Sequence, residues 1–240
     1  MRQLRSVYFG GGQYPRLAAV LDRTARQHCP GWRVVVERVQ ESTLRRRDGN
    51  AGFSDNAWKL RQWCRIVDSA PEGDEILLVD ADVFILAPLD ELWNKPFDFL
   101  YTVRSEAAPF PLNAGVVAVR VNEATRSFMR LWVHKDHELF SDPDAHRQWR
   151  KKYGGMNQAS LGALLECGSA LSSWLRVETA PCREWNACDP EDWSRVDERT
   201  KIVHVKSDLR ATLFSVVVSR NLLSLSRLWT SAERSAILEV

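Results

Sequence analysis

The sequence predicts an α/β fold, a mostly parallel central sheet flanked by helices. Three observations carry that expectation. Strand-like and helix-like patterns alternate through the first half of the chain, the signature of parallel strands joined by helical crossovers. One segment, Ile76–Val79 (ILLV), is apolar at every position, as strands covered on both faces are. The composition, 45% hydrophobic against 27% charged residues, is a balance that can fill a sizeable core. No repeat, low-complexity tract or linker divides the 240 residues. One domain spanning 1–240 is therefore expected, closing with a helical tail from about residue 211.

The elements follow in order. Leu4–Gly10 (LRSVYFG) reads as a strand, broken by three glycines and Pro15. Arg16–His28 places Leu17, Val20, Leu21 and Ala25 at helical spacing. Pro30–Trp32 is a turn before a strand, WRVVVERV. Glu41–Ser54 is polar, basic and glycine-containing, so a loop is expected, with a helix starting at Ser54 or Asp55 as N-cap. That helix presents Ala57, Leu60, Cys64 and Val67 on one face and stops at PEGDE. Two further strands are read in FDFLYTVRS and NAGVVAVRV. A helix from Glu123 to about Leu139, a polar loop, a helix from Asn157 to Glu166 and a strand over Lys201–Lys206 complete the body. Leu213–Leu238 reads as helical.

Charge and composition exclude several classes. A net charge of +2 gives no nucleic-acid bias. No run reaches the length of a membrane span and the N-terminus lacks a signal-peptide core, so a soluble cytoplasmic protein is expected. The five cysteines are odd in number, scattered and without a CxxC, which favours free thiols over disulfides or structural zinc.

The stretch EILLVDADVFIL sets Asp80 and Asp82 between two apolar runs. They fall at the carboxyl end of a buried strand, the edge where open parallel sheets bind ligands. Two carboxylates this close repel, and burying either without a partner costs several kcal/mol. A magnesium or manganese ion removes both problems, since these ions take carboxylate oxygens together with substrate phosphates. Residues i and i+2 of an extended segment also point to one side. The alternatives are a turn whose aspartates cap backbone N–H groups, and a phosphatase of the haloacid dehalogenase type. The latter usually has its motif near the N-terminus with a threonine two residues beyond the second aspartate, where Phe84 stands here.

The flanks carry a resemblance. Ala57–Trp93 is similar to the donor-site segment of GT-A glycosyltransferases, above all the glycogenin-like family 8: a lysine-bearing helix (Lys59), a strand, DxD (Asp80-Ala81-Asp82) and LDELW. LNAGVVAV, with Asn113, Ala114 and Gly115, resembles that family's FNSGV block. Asn157-Gln158 stands where the family has a DQ pair, and APCREWN, with Trp185 and Asn186, where it has LPxxYN. HVKSDLRAT, with His204 and Arg210, stands where it has HFxGxxKPW. The resemblance spans about Tyr8 to Arg210 and implies a GT-A, Rossmann-like domain.

By that resemblance Asp80, Asp82 and His204 would ligate Mn2+ or Mg2+. Lys59, Lys206 and Arg210 would contact the donor diphosphate, Tyr8 and Gly10 the nucleobase corner, and Asp80, Ala81, Asn113, Ala114 and Gly115 the donor, with Gly115 leaving room for the sugar ring. Trp185 and Asn186 would meet the acceptor, and Asn157 and Gln158 would sit at the reacting sugar. Position 157 departs from the family, because an asparagine is no anionic nucleophile but can still hydrogen-bond a sugar. The implied activity is metal-dependent transfer of a hexose, with a UDP-linked donor favoured, to a hydroxyl acceptor with retention. A nucleotidyltransferase and a sugar-nucleotide-binding module without turnover are the alternatives. His134 and His137 form an HxxH with no third ligand apparent and read as surface residues. LRRRDGN reads as a solvated loop.

Overall fold

The computed structural model describes residues 1–40, 44, 49–167, 171–193 and 196–206; the expected tail helix, Arg210 and most of the LRRRDGN segment lie outside these residues. The elements are β1 (Arg2–Tyr8), α1 (Tyr14–His28), β2 (Arg33–Arg38), α2 (Ala51–Ser69), β3 (Glu75–Val79), β4 (Val83–Ile85), β5 (Phe99–Val103), β6 (Leu112–Arg120), α3 (Glu123–Ser141), α4 (Pro143–Tyr153), α5 (Asn157–Cys167), β7 (Val177–Pro181), α6 (Cys182–Trp185), α7 (Pro190–Trp193) and β8 (Ile202–His204). A six-stranded sheet runs in the order β2-β1-β3-β6-β5-β7, and β4 and β8 form a separate two-stranded ribbon. β2, β1 and β3 are parallel, as are β5 and β7. β6 runs antiparallel to both its neighbours, so the sheet is mixed but mostly parallel, as expected.

β3 shows why the run ILLV is uniformly apolar. Leu77 and Val79 enter one core with Leu4 and Leu21, while Ile76 and Leu78 enter the other with Leu60, Trp63, Phe128 and Trp132. All four β3 residues are fully buried. Each such side chain contributes about 1.5–3 kcal/mol of burial, so the sheet's centre is rigid and the loops at its end are held by it.

Several boundaries differ from the sequence expectation. Helix α2 starts at Ala51, four to five residues early, because Asn50 rather than Ser54 or Asp55 is its N-cap and its side chain accepts from the Phe53 N–H at 3.1 Å. Pro15 does not separate strand from helix; it lies in the first turn of α1, where its missing N–H costs nothing. The polar loop expected after α3 contains α4, started by Asp142 as N-cap with Pro143 behind it. β7 and α6 were not expected. The histidines of HxxH are on the surface of α3, His134 paired with Glu138 at 3.1 Å. Cys29, Cys64, Cys182 and Cys188 are free and buried. Among the described residues no helix is long and apolar enough to cross a membrane.

Asp98 joins three elements at the start of β5. Its carboxylate accepts from the Arg176 guanidinium at 2.9 and 3.0 Å, from the Arg176 N–H at 2.9 Å and from Asn122, the N-cap of α3, at 2.9 Å. The Arg176 side chain, aided by its backbone N–H and Asn122, overcomes burial and lowers the Asp98 pKa to about 2. A carboxylate with a depressed folded pKa contributes stability above its unfolded value and loses it as the pH falls towards about 2. In Arg176→Ala the Asp98 midpoint, followed by carboxyl NMR, is expected to rise towards the ordinary range and the acid limb of stability to begin at higher pH. An unchanged midpoint would refute the ion pair's role.

Candidate active site

The aspartates are brought together by a turn. Asp80 leaves β3 with its N–H bonded to the Gly115 carbonyl at 2.8 Å, and Ala81 and Asp82 turn the chain into β4. Their convergence therefore comes from this turn and not from strand alternation, which corrects the extended-backbone argument. β4 then pairs antiparallel with β8, and its first residue, Val83, stands directly opposite His204. The Val205 N–H closes the ribbon on the Asp82 carbonyl at 2.7 Å. A histidine far away in the chain is thereby fixed beside both acids. His204 Nε2 lies 3.2 Å from Asp82 Oδ1 and 3.7 Å from Asp80 Oδ2. One ligand atom from each of the three falls within 4.8 Å of the others. Burial opposes charge on the His204 ring, but Asp82, through charge and hydrogen bond, and then Asp80 outweigh it and raise its pKa. Two carboxylates and an imidazole that attract positive charge to one point fit a divalent cation, with oxygen ligands suited to manganese or magnesium and the imidazole favouring manganese.

The cluster forms the floor of a cleft of about 480 Å³ at the edge where β1 and β3 end. Tyr8, Lys59, Ala81, Asn113, Ala114, Gly115, Asn157, Gln158 and Lys206 all reach its wall with the acidic pair. The Lys59 ammonium bonds Asp80 and lies 4.6 Å from the Trp63 ring centroid. It is a nearly buried cation committed to an acid, not the solvated lysine common on helices. Lys206 lies 3.8 Å from Asp189. Phe9 also lines the cleft, whereas Gly10 does not; its φ of 78° serves the turn after β1.

Asn157 opens α5 with its backbone pinned. The Trp132 indole N–H donates to the Asn157 carbonyl at 3.2 Å and to Ser160 Oγ at 3.0 Å, and Ser160 donates to Asp136 at 2.9 Å. The Asn157 side chain is 3% exposed, and neither its Oδ1 nor its Nδ2 has a hydrogen-bond partner among the described residues. A buried amide left unpaired costs about 1–3 kcal/mol. It faces the cleft, so a ligand bearing both a donor and an acceptor would relieve that cost. Gln158 donates to the Tyr153 carbonyl at 2.6 Å. It holds the turn at Gly154, whose φ is 70° and whose missing Cβ leaves room for Phe110.

Three expectations are corrected here. Trp185 is 7% exposed and belongs to the core with Leu100 and Ile202, and Asn186 is fully buried, so neither presents a surface to an acceptor. Asn113 is turned inward. Its Oδ1 accepts from the Gly115 N–H at 2.8 Å and from Asn186 at 3.1 Å, and its Nδ2 donates to Cys188 Sγ at 3.4 Å, leaving little capacity for a sugar hydroxyl. The space beside Gly115 is filled by protein: a Cβ there would lie 2.4 Å from His204 Cε1 and 2.7 Å from its Nδ1. The glycine makes room for the metal-ligand candidate, not for a sugar ring. Sequence reasoning missed Arg104, a cleft-lining cation 3.5 Å from Asp189. It follows β5 directly, at the edge where ligands bind, and that position was the available signal.

A methyl group at Gly115 has nowhere to go. Gly115→Ala is expected to displace the His204 ring and cost about 1–3 kcal/mol by overpacking. Thermal unfolding checks it; wild-type stability in the variant would show that the ring has freedom the packing denies.

No protein-family model matches the chain, and no curated protein matches it by sequence. Solved structures do match. A glycosyltransferase involved in glycosylation of the major capsid of PBCV-1 aligns at 13% identity over 88% of this chain and 96% of that one, with a TM-score of 0.59. The galactosyltransferase LgtC, solved in complex with donor and acceptor sugar analogues, aligns at 13% identity over 98% of this chain and 96% of its own, also at 0.59. The glycosyltransferase GlyE of Streptococcus pneumoniae TIGR4 aligns at 12% identity over 95% of this chain and 60% of its own, at 0.58. The chain thus has the GT-A, glycogenin-like fold that these glycosyltransferases share.

Proposed function

We propose that the chain is a metal-dependent glycosyltransferase that moves a hexose from a nucleotide-sugar, a UDP-hexose, to a hydroxyl acceptor with retention. The observation that carries this reading is the meeting of Asp80, Asp82 and His204 on the floor of a cleft in a glycosyltransferase fold. These three residues would hold Mn2+ or Mg2+. Such an ion, when bound, supplies Lewis-acid stabilisation to a departing diphosphate.

The chain's own residues account for the rest. Lys59 offsets the negative charge of Asp80, and Lys206 and Arg104, both beside Asp189, add positive charge to the cleft lining, to which a diphosphate would be drawn. The unpartnered amide of Asn157 offers one donor and one acceptor, the complement of a sugar hydroxyl. Asn157 offers no carboxylate on which a covalent glycosyl intermediate could form. Retention then follows a front-face route. The bond from the anomeric carbon to the diphosphate breaks as the acceptor oxygen bonds to the same face, and the acceptor proton passes to the departing diphosphate. The buried wall around Asn157 and Met156 limits competing water.

Calorimetry and donor hydrolysis with manganese and a panel of nucleotide-sugars test this. Binding of a UDP-hexose that needs the metal is expected, with Asp80→Asn and Asp82→Asn each weakening it more than about a hundredfold. No binding of any nucleotide-sugar, with or without metal, would sink the proposal.

Asn157→Leu is expected to lower kcat/KM by about thirtyfold, the equivalent of roughly 2 kcal/mol of lost hydrogen bonding. Binding without hydrolysis or transfer in the wild type, with hydrolysis gained in Asn157→Asp, would instead assign a sugar-nucleotide-binding module. The missing carboxylate at 157 is what favours that second reading.

A further inference from the structure

We propose that Asn186 is a positioning residue that holds a hydrogen on His204 Nδ1, so that Nε2 is the nitrogen turned to Asp80 and Asp82. The place of that hydrogen follows from a chain of hydrogen bonds whose first donor is a backbone amide. The Gly115 N–H donates to one end of the Asn113 side chain at 2.8 Å, so that end must be the oxygen. The same oxygen lies 3.1 Å from Asn186, so the Asn186 atom facing it must be the nitrogen. Thr102 gives the same answer independently. Its hydroxyl donates to the Asn113 carbonyl at 2.7 Å, which leaves a lone pair for Asn186 Nδ2 at 2.8 Å.

With the nitrogen of Asn186 committed twice, its oxygen is the end that faces His204 Nδ1, 3.0 Å away. An amide oxygen only accepts, so Nδ1 must carry the hydrogen. Nε2 is then the nitrogen turned to the acids, 3.2 Å from Asp82 and 3.7 Å from Asp80: protonated, it donates to Asp82, and it is the nitrogen whose proton a cation would displace. Asn113, Thr102, Asn186 and His204 are all 4% exposed or less, so water does not compete for these bonds. Gly115 enters twice, as the amide that sets the order of donors and as the gap that admits the ring. Histidines that bind metals are commonly oriented by a partner on their second nitrogen, and loss of that partner typically weakens binding ten- to a hundredfold.

The consequence for cation binding rests on the reading of Asp80, Asp82 and His204 as ligands, whereas the Nδ1 hydrogen rests on the hydrogen bonds alone. The experiment separates the two. In metal-free wild type labelled with 15N-histidine, NMR is expected to show a protonated His204 Nδ1; an unprotonated Nδ1 overturns the proposal without touching the metal reading. A manganese titration by calorimetry then compares wild type with Asn186→Leu, which is expected to bind manganese at least tenfold more weakly. Wild-type affinity in the variant overturns the positioning role. A wild type that binds no manganese defeats the cation reading while the NMR result stands, and the wild-type spectrum decides the Nδ1 hydrogen even if Asn186→Leu does not fold.

Discussion

The pairing of β4 with β8 is the constraint on which the site depends. Only three residues long on each strand, this ribbon sets Val83 opposite His204 and so brings the late imidazole to the early acids. Neither strand belongs to the large sheet, yet both are anchored to it. β4 continues from β3 through the DxD turn, and β8 is bonded through the His204 N–H to Ala187 at 2.9 Å, just beyond α6. Phe84 and Val203 pack with Leu17 and Trp193, burying the ribbon's outer face. A short antiparallel pair is marginal by itself. Here the burial of its side chains against α1 supplies what its few ladder bonds cannot.

Behind the acids, polarity is arranged in two layers. The layer facing the cleft is charged: Asp80, Asp82, Lys59 and Lys206. The layer beneath is built of neutral side chains, Asn113, Asn186 and Thr102, joined by hydrogen bonds. Neutral groups can be buried at modest cost once their bonds are made, whereas a second layer of charge would need further desolvation. Such a network holds its members in fixed orientations, which is what a site needs if its ligand atoms are to be in place before a ligand arrives. Asn157 breaks this pattern. Its backbone is pinned by Trp132, but its side-chain atoms have no partner among the described residues, so the order of the surroundings points outward to a ligand there.

Much of this was legible in the sequence, and the limits have physical causes. The β3 strand and the acids at its end were readable because an uninterrupted apolar run has one common meaning in an α/β pattern. The block resemblance singled out His204, which the fold sets beside Asp80 and Asp82, although nothing local marks it. What a block cannot reveal is burial. Trp185 and Asn186 look like a polar and aromatic pair suited to a sugar, yet the chain turns them inward at α6. Gly115 was read as space for a ligand because the occupant of that space lies far along the chain. Helix α4 escaped notice because its buried face is made of His146 and Tyr153, with His146 bonded to the Gly155 carbonyl at 2.9 Å, so no apolar stripe announces it. Its Asp142-Pro143 start was the signal available. β7 is an edge strand with mostly exposed side chains, which gives no clear alternation.

The late position of β8 has a consequence for biosynthesis. As the chain leaves the ribosome, α2, β3 and the acidic turn emerge well before His204 is made. During that interval the Lys59 ammonium can satisfy Asp80, while the imidazole that will face Asp82 has yet to be made. The three-residue cluster is therefore completed last, and closing it requires a long loop to find its register late, a step with an entropic cost that grows only slowly with loop length.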